Sequence, residues 1–326
     1  MVTQKQYSSK RNKKVQPPRV IPSSEYDAAW KDMIEMHFEA FVEFFYPDIH
    51  KDINFSRPPE ILSNELRKIL PHSKLGNRRA DALIKVYLKN GLERYIWVYI
   101  HIEVQGKKDT DFPERLFVYY YRIFEKFRES GTGIISLAVL TDEDENYRPD
   151  EYYSKLWGFE LRMHIPLIKI IDYKNKKELQ EKVDRSANPM AMVVKAQLKS
   201  FEAKKGDNDK KYTIKWELIR QLYSQGYDSK YIRSLFDFID LIFHLPEYLE
   251  KKLSEKINNL EEEKKMPHIL SWERIAKKEG KMVGKKEGKQ KEKRDTALRM
   301  LSDGLPVEAV SKYTGLSGQQ VKALVQ

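Results

Sequence analysis

Apolar positions recur along this chain first with the period of helices and then with that of strands. From Asp27 onward, Trp30, Ile34, Phe38, Phe41, Val42 and Phe45 follow at three- and four-residue spacing, which predicts a helix capped by Asp27 and ended by Pro47. Ile61, Leu62, Leu66 and Ile69 predict a second helix over Glu60–Leu70, stopped by Pro71. Arg79–Leu88 and Tyr95–Gln105 then change the rhythm. They are rich in β-branched and aromatic residues and are joined by Lys89–Arg94, with Asn90-Gly91 inside, so they read as a hairpin. Leu116, Tyr119, Tyr120, Ile123, Phe124 and Phe127 restore helical spacing over Phe112–Ser130, and Gly131 stops it. Gly133–Leu140 and Ile165–Tyr173 predict two more strands, separated by a loop holding Pro149 and Gly158. Helix, hairpin, helix, strand, strand predicts an α/β core, a mixed sheet flanked by helices, over residues 25–180.

Beyond it the pattern is wholly helical. Residues 181–265 predict three or four packed helices broken near Gly206, Gly226 and Pro246. Residues 266–294 place Gly280, Gly284 and Gly288 in a Lys/Glu-rich run, a linker or marginal helix, since each glycine costs a helix about 1 kcal/mol against alanine. Residues 295–326 predict three short helices: one from Asp295 to Leu301, one beginning at Pro306, and one opened by the capping-box sequence Ser317-Gly-Gln-Gln320. This spacing matches a small helix-turn-helix module, and equally a helical docking tail.

Composition sharpens the outline. With 326 residues the chain exceeds one ordinary domain, and with no cysteine it has neither disulfides nor thiolate metal sites. The apolar runs are too short for a membrane span and no signal peptide is legible, so a cytoplasmic protein with no membrane partner is expected, nucleoid-associated if bound to DNA. The net charge of +11 is unevenly spread. Residues 1–20 carry six basic and no acidic residues, and residues 272–299 carry eleven basic and five acidic, which leaves the rest of the chain near neutral. The first 24 residues have nothing to bury and read as a disordered basic tail. Both basic segments suit sequence-blind attraction to a polyanion such as nucleic acid, or simply solubility.

The chemistry gathers at Tyr95–Gln105. Strand parity puts Trp97, Tyr99, His101, Glu103 and Gln105 on one face, and a carboxylate closing a buried run needs a partner. Asp81, near the start of the neighbouring strand, is the candidate. A two-residue turn at Asn90-Gly91 would place Asp81 opposite Ile100, on the wrong face; a three-residue turn, Asn90–Leu92, would set it opposite His101 and diagonal to Glu103, roughly 7 Å away at Cα. A shared site therefore demands an odd-length loop. Two carboxylates without cysteine favour a hard ion, Mg²⁺ or Mn²⁺. The plainer reading is a surface hairpin whose acids pair with arginine or lysine.

Arg-Ala-Asp81-Ala-Leu, then Ile-His-Ile-Glu103-Val-Gln105, then Glu114-Arg115-Leu-Phe-Val-Tyr119 resembles the PD-(D/E)xK nuclease superfamily, specifically its Rpn-like recombination-promoting nuclease and transposase branch. The similarity runs from Tyr26-Asp-Ala-Ala-Trp30-Lys31 to Ile171-Asp172-Tyr173, and the glycine-lysine run and Thr314-Gly-Leu-Ser317 resemble tails of such proteins. The resemblance implies a restriction-endonuclease-like core and a Mg²⁺-dependent DNA endonuclease linked to recombination or transposition. Asp81 and Glu103 would be metal ligands, with the Val104 carbonyl a third oxygen and Glu65 an added acid, Glu39 and Asp27 standing behind it. Gln105 would be the third catalytic residue, in the place of the superfamily's lysine. An amide orients water where a lysine would supply charge. Arg79, Lys107, Lys108 and Arg115 are candidates for contact with DNA phosphates; equally, Arg79 could neutralise Glu103, Arg115 could point back over the site in a packing or salt-bridge role and the two lysines could form a solvated turn, while Lys85 and His101 read as structural. Cutting two strands would call for two sites, hence a homodimer. The rival is a DNA-binding or scaffold protein that keeps the fold without turnover, and RNA as substrate stays open.

Overall fold

The computed structural model describes residues 23–69, 81–92, 95–129, 131–203, 206–264 and 292–324. The basic tail, Arg79 and most of the glycine-lysine run lie outside them. Two compact units emerge, Met1–Leu253 and Ser254–Gln326.

The first unit is α/β. Its helices open the chain as α1 (Ser23–Met36), α2 (Phe38–Phe45) and α3 (Pro47–Asp52), followed by β1 (Glu60–Ile61) and α4 (Ser63–Ile69). The single helix expected from Asp27 is thus two, divided at His37, and it starts earlier, so Asp27 lies inside α1 rather than at its cap. Strands β2 (Asp81–Leu92) and β3 (Tyr95–Gln105) form the hairpin, α5 (Phe112–Phe127) crosses over, and β4 (Thr132–Leu140) returns parallel to β3. A second hairpin, β5 (Glu151–Leu156) and β6 (Phe159–His164), precedes β7 (Leu167–Lys169). The five-stranded sheet has the order β1-β2-β3-β4-β7, antiparallel at β1, β2 and β3 and parallel from β3 to β7. That is the mixed sheet the hydrophobic pattern predicts.

Both faces are covered. Ala82, Ile84, Val86, Ile100, Ile102, Val104 and Val139 are buried on one, each valine and isoleucine worth about 1.5–3 kcal/mol of apolar burial. On the other, α4 and α5 close over the sheet, as Leu66 and Ile123 pack with Leu83 and Tyr99, and Phe112 and Leu116 pack with Ala138 and Leu140.

The helical stretch is built of α6 (Asp172–Asn175), α7 (Lys177–Arg185), α8 (Pro189–Glu202), α9 (Asn208–Ser224), α10 (Ser229–Ile242) and α11 (Glu247–Glu263). Helices α8 and α10 pack against α1 of the sheet core. Trp30 of α1 donates to Gln197 of α8 at 2.9 Å and meets Phe238 of α10 edge-on at 5.7 Å. Lys215, fully buried, is held by Asp240 and Glu250 at 2.7 and 2.6 Å.

In the second unit, α12 (residues 292–302), α13 (Val307–Thr314) and α14 (Gly318–Lys322) enclose Ala297, Val310, Leu316 and Val321. Gly315 ends α13 at φ 66°, the left-handed conformation that a glycine adopts without strain. Ser317 and Gln320 form the expected capping box.

Candidate functional site

The expected Asn-Gly turn is absent: Asn90 and Gly91 continue β2, and the hairpin closes at Leu92↔Tyr95, with Glu93 and Arg94 outside the described residues. Between Tyr87↔Trp97 and Leu92↔Tyr95, β2 spends four residues where β3 spends Ile96 alone. The surplus of three is odd and flips the parity that the tight turn would have set. Asp81 therefore stands directly opposite Glu103, nearer than the diagonal placement expected from an odd-length loop.

Hydrogen-bond phase narrows the pair further. Leu83 and Tyr87 give their carbonyls to Leu62 N–H and Asn54 N–H, away from β3. Odd residues of β2 thus point their backbone outward, and Asp81↔Glu103 is a non-hydrogen-bonded pair, in which Cα atoms approach to about 4.5 Å. Likewise the Gln105 carbonyl accepts from Thr141 N–H at 3.0 Å on the β4 side, which turns the Val104 carbonyl toward the β2 edge.

The side chains on this face form one buried polar layer. Glu103 is 1% exposed. Its Oε1 accepts from Arg115 Nη2 at 3.2 Å, and its Oε2 has no hydrogen-bond partner among the described residues. The same Nη2 donates to Gln105 Oε1 at 2.8 Å, while Gln105 Nε2 donates to the Lys107 carbonyl at 2.6 Å. Arg115 Nη1 reaches Asp109 at 2.5 Å. Burial disfavours the guanidinium's charge, but Glu103 and Asp109 outweigh it and hold Arg115 above its usual range. His101, fully buried, shares Nδ1 with Ser136 Oγ at 3.2 Å and meets Tyr119 edge-on, and its Nε2 lies 3.9 Å from Glu103 Oε2, beyond a hydrogen bond. Desolvation lowers its pKa to about 4, so it is a neutral core histidine at physiological pH.

The layer continues past Asp109. Tyr147 donates to the Asp109 carbonyl at 2.7 Å, Lys169 lies over the Tyr147 ring at 5.4 Å, and Lys169 Nζ binds Asp142 Oδ1 at 2.7 Å. Asp109, Asp142, Tyr147 and Lys169 escape sequence reasoning. Only Lys169 left a signal, as a lone charge inside the apolar run Ile165–Ile171.

Each of the other candidates has its own setting. Glu65 is engaged by Lys68 at 2.7 Å, a bond that lowers its pKa, and Glu39 faces His50 at 3.7 Å. Asp27 lies against Gly106, where an added Cβ would come 2.7 Å from its Oδ1. Lys107 is exposed, and Lys108 sits 3.6 Å from Asp144. Arg115, 4% exposed, turns inward as the counter-charge of Glu103 and is not presented to a phosphate. Lys85 pairs with Glu60 at 3.4 Å. No group of three acidic or histidine side chains able to hold a metal occurs among the described residues.

One buried acceptor of this layer is nevertheless open to a cation. Glu103 Oε2 is a buried oxygen with no hydrogen-bond donor among the described residues, and the backbone register sets Asp81 opposite Glu103 across β2 and β3. Comparisons with family models, with curated proteins and with solved structures return no match.

Proposed function

We propose that the chain is a Mg²⁺- or Mn²⁺-dependent DNA endonuclease. The observation that carries the reading is the direct opposition of Asp81 and Glu103 across β2 and β3, with a buried Glu103 oxygen that no described residue satisfies. Asp81, Glu103 and the Val104 carbonyl would hold the cation, which polarises a phosphate and acidifies water when bound. Gln105 is oriented by Arg115 at its carbonyl end and by Lys107 at its amide, which leaves the second amide N–H to orient the attacking water. Attack by that water's oxygen forms a new P–O bond as the bond to the sugar oxygen breaks, and the leaving oxygen takes up a proton. Arg115 pairs with Glu103 near the C-terminal end of β3, a positioning role. The restriction-endonuclease-like character of the sheet, the link to recombination or transposition and the second unit's helix-turn-helix as a DNA reader belong to the same proposal, supported by residue resemblance and by the capped three-helix arrangement.

The Arg115–Glu103 ion pair also favours a second reading, in which the guanidinium has replaced the cation and the protein binds DNA without turnover. Supercoiled plasmid with Mg²⁺, incubated with wild type, Asp81→Asn and Glu103→Gln, separates them. Nicking by wild type that both variants lose supports the nuclease. Equal activity in all three, or none in any together with a Mg²⁺-induced rise in melting temperature that Asp81→Asn leaves unchanged, removes it.

A further inference from the structure

Strands β5 and β6 form a sheet with no third strand among the described residues. Ile165 N–H donates to the Asp150 carbonyl, and the register Tyr152↔Met163 continues that phase. Asp150, Tyr152 and Ser154 thus turn their backbone groups toward β6, while Glu151, Tyr153 and Lys155 turn theirs outward along a free edge. One face of the hairpin is anchored, for Tyr152 stacks on Phe117 of α5 at 4.6 Å. Its tip is bare. Leu156, Trp157 and Phe159 are 59%, 97% and 63% exposed, and Trp157 is held at φ 48° in the turn with Gly158.

An unpaired strand edge beside an apolar tip is a surface that soluble proteins normally blunt or use. The charges on β5 indicate what uses it. Glu151 and Lys155 flank Tyr153 symmetrically, and within the hairpin Lys155 already pairs with Glu160 at 3.1 Å and Glu151 with Arg162 at 3.3 Å.

We propose that β5 is a self-complementary edge through which two copies of this chain pair antiparallel about a two-fold axis at Tyr153. In that register Glu151 of each copy lies opposite Lys155 of the other. The row across four strands then reads His164, Glu151, Lys155 of the second copy and Glu160 of the second copy, with no like charges adjacent. The same register lays Trp157 beside Pro149 and Arg148 of the second copy, covering the tip. The interface is isologous, as a closed dimer requires, and stands independently of the nuclease reading.

Sedimentation of the full chain over a concentration series tests it. Wild type is expected to form a reversible dimer. Glu151→Lys and Lys155→Glu each turn two attractive pairs into repulsive ones and should weaken it about tenfold. Mixed in equal amounts, the two variants place opposite charges across the edge again and should recover wild-type affinity, which misfolded variants could not do. Trp157→Ser should weaken the dimer without altering that complementation. A wild type monomeric at every concentration, a dimer indifferent to both charge reversals, or a mixture no tighter than its components overturns the proposal.

Discussion

Replacing Arg115 with methionine keeps most of the side chain's packing and removes its charge. Three acceptors then lose their donor: Glu103 Oε1 at 3.2 Å, Gln105 Oε1 at 2.8 Å and Asp109 Oδ2 at 2.5 Å. Asp109 is partly exposed and recovers water, but Glu103, at 1% exposure, cannot. Stripping one partner from a buried ion pair costs about 3–5 kcal/mol. Urea unfolding at pH 7, followed by far-UV circular dichroism, should therefore show Arg115→Met less stable by about 3–5 kcal/mol. Adding Glu103→Gln removes the stranded charge and should restore most of the loss. A cost below about 1 kcal/mol, or a double variant no more stable than Arg115→Met, would refute the claim that this pair neutralises the layer.

Burial depresses the His101 pKa from 6.5 to about 4, so the native state excludes a proton that the unfolded chain accepts. Its neutral form contributes stability that is present above pH 6.5 and lost as pH falls toward 4; wild type should lose about 3 kcal/mol more than His101→Gln over that window, and parallel pH profiles would exclude it. Gly106→Ala drives a Cβ to 2.7 Å from Asp27 Oδ1 and 3.3 Å from Thr141 Oγ1. A melting temperature lowered by the equivalent of about 1–3 kcal/mol is expected, and an unchanged one would show that Asp27 moves aside freely.

The amino-acid sequence by itself determined the helical and strand rhythms, and the extent of β3 from Tyr95 to Gln105 matches its run of β-branched and aromatic residues. It also determined the capping box of α14 and the shared face of His101, Glu103 and Gln105, because these depend on neighbours a few residues apart. It misplaced the turn of the first hairpin, since Asn-Gly favours a tight turn only where the pairing of the flanking strands agrees, and here an odd surplus of residues in β2 was needed to bring Asp81 across from Glu103. It missed β5 and β6 because their turn is Trp157-Gly158, and no strong turn signal marks a tryptophan at positive φ. Only the tertiary structure decided that Arg115 points inward. A helix's own sequence says which residues share its face, whereas docking α5 against the sheet decides which of them meets a buried carboxylate.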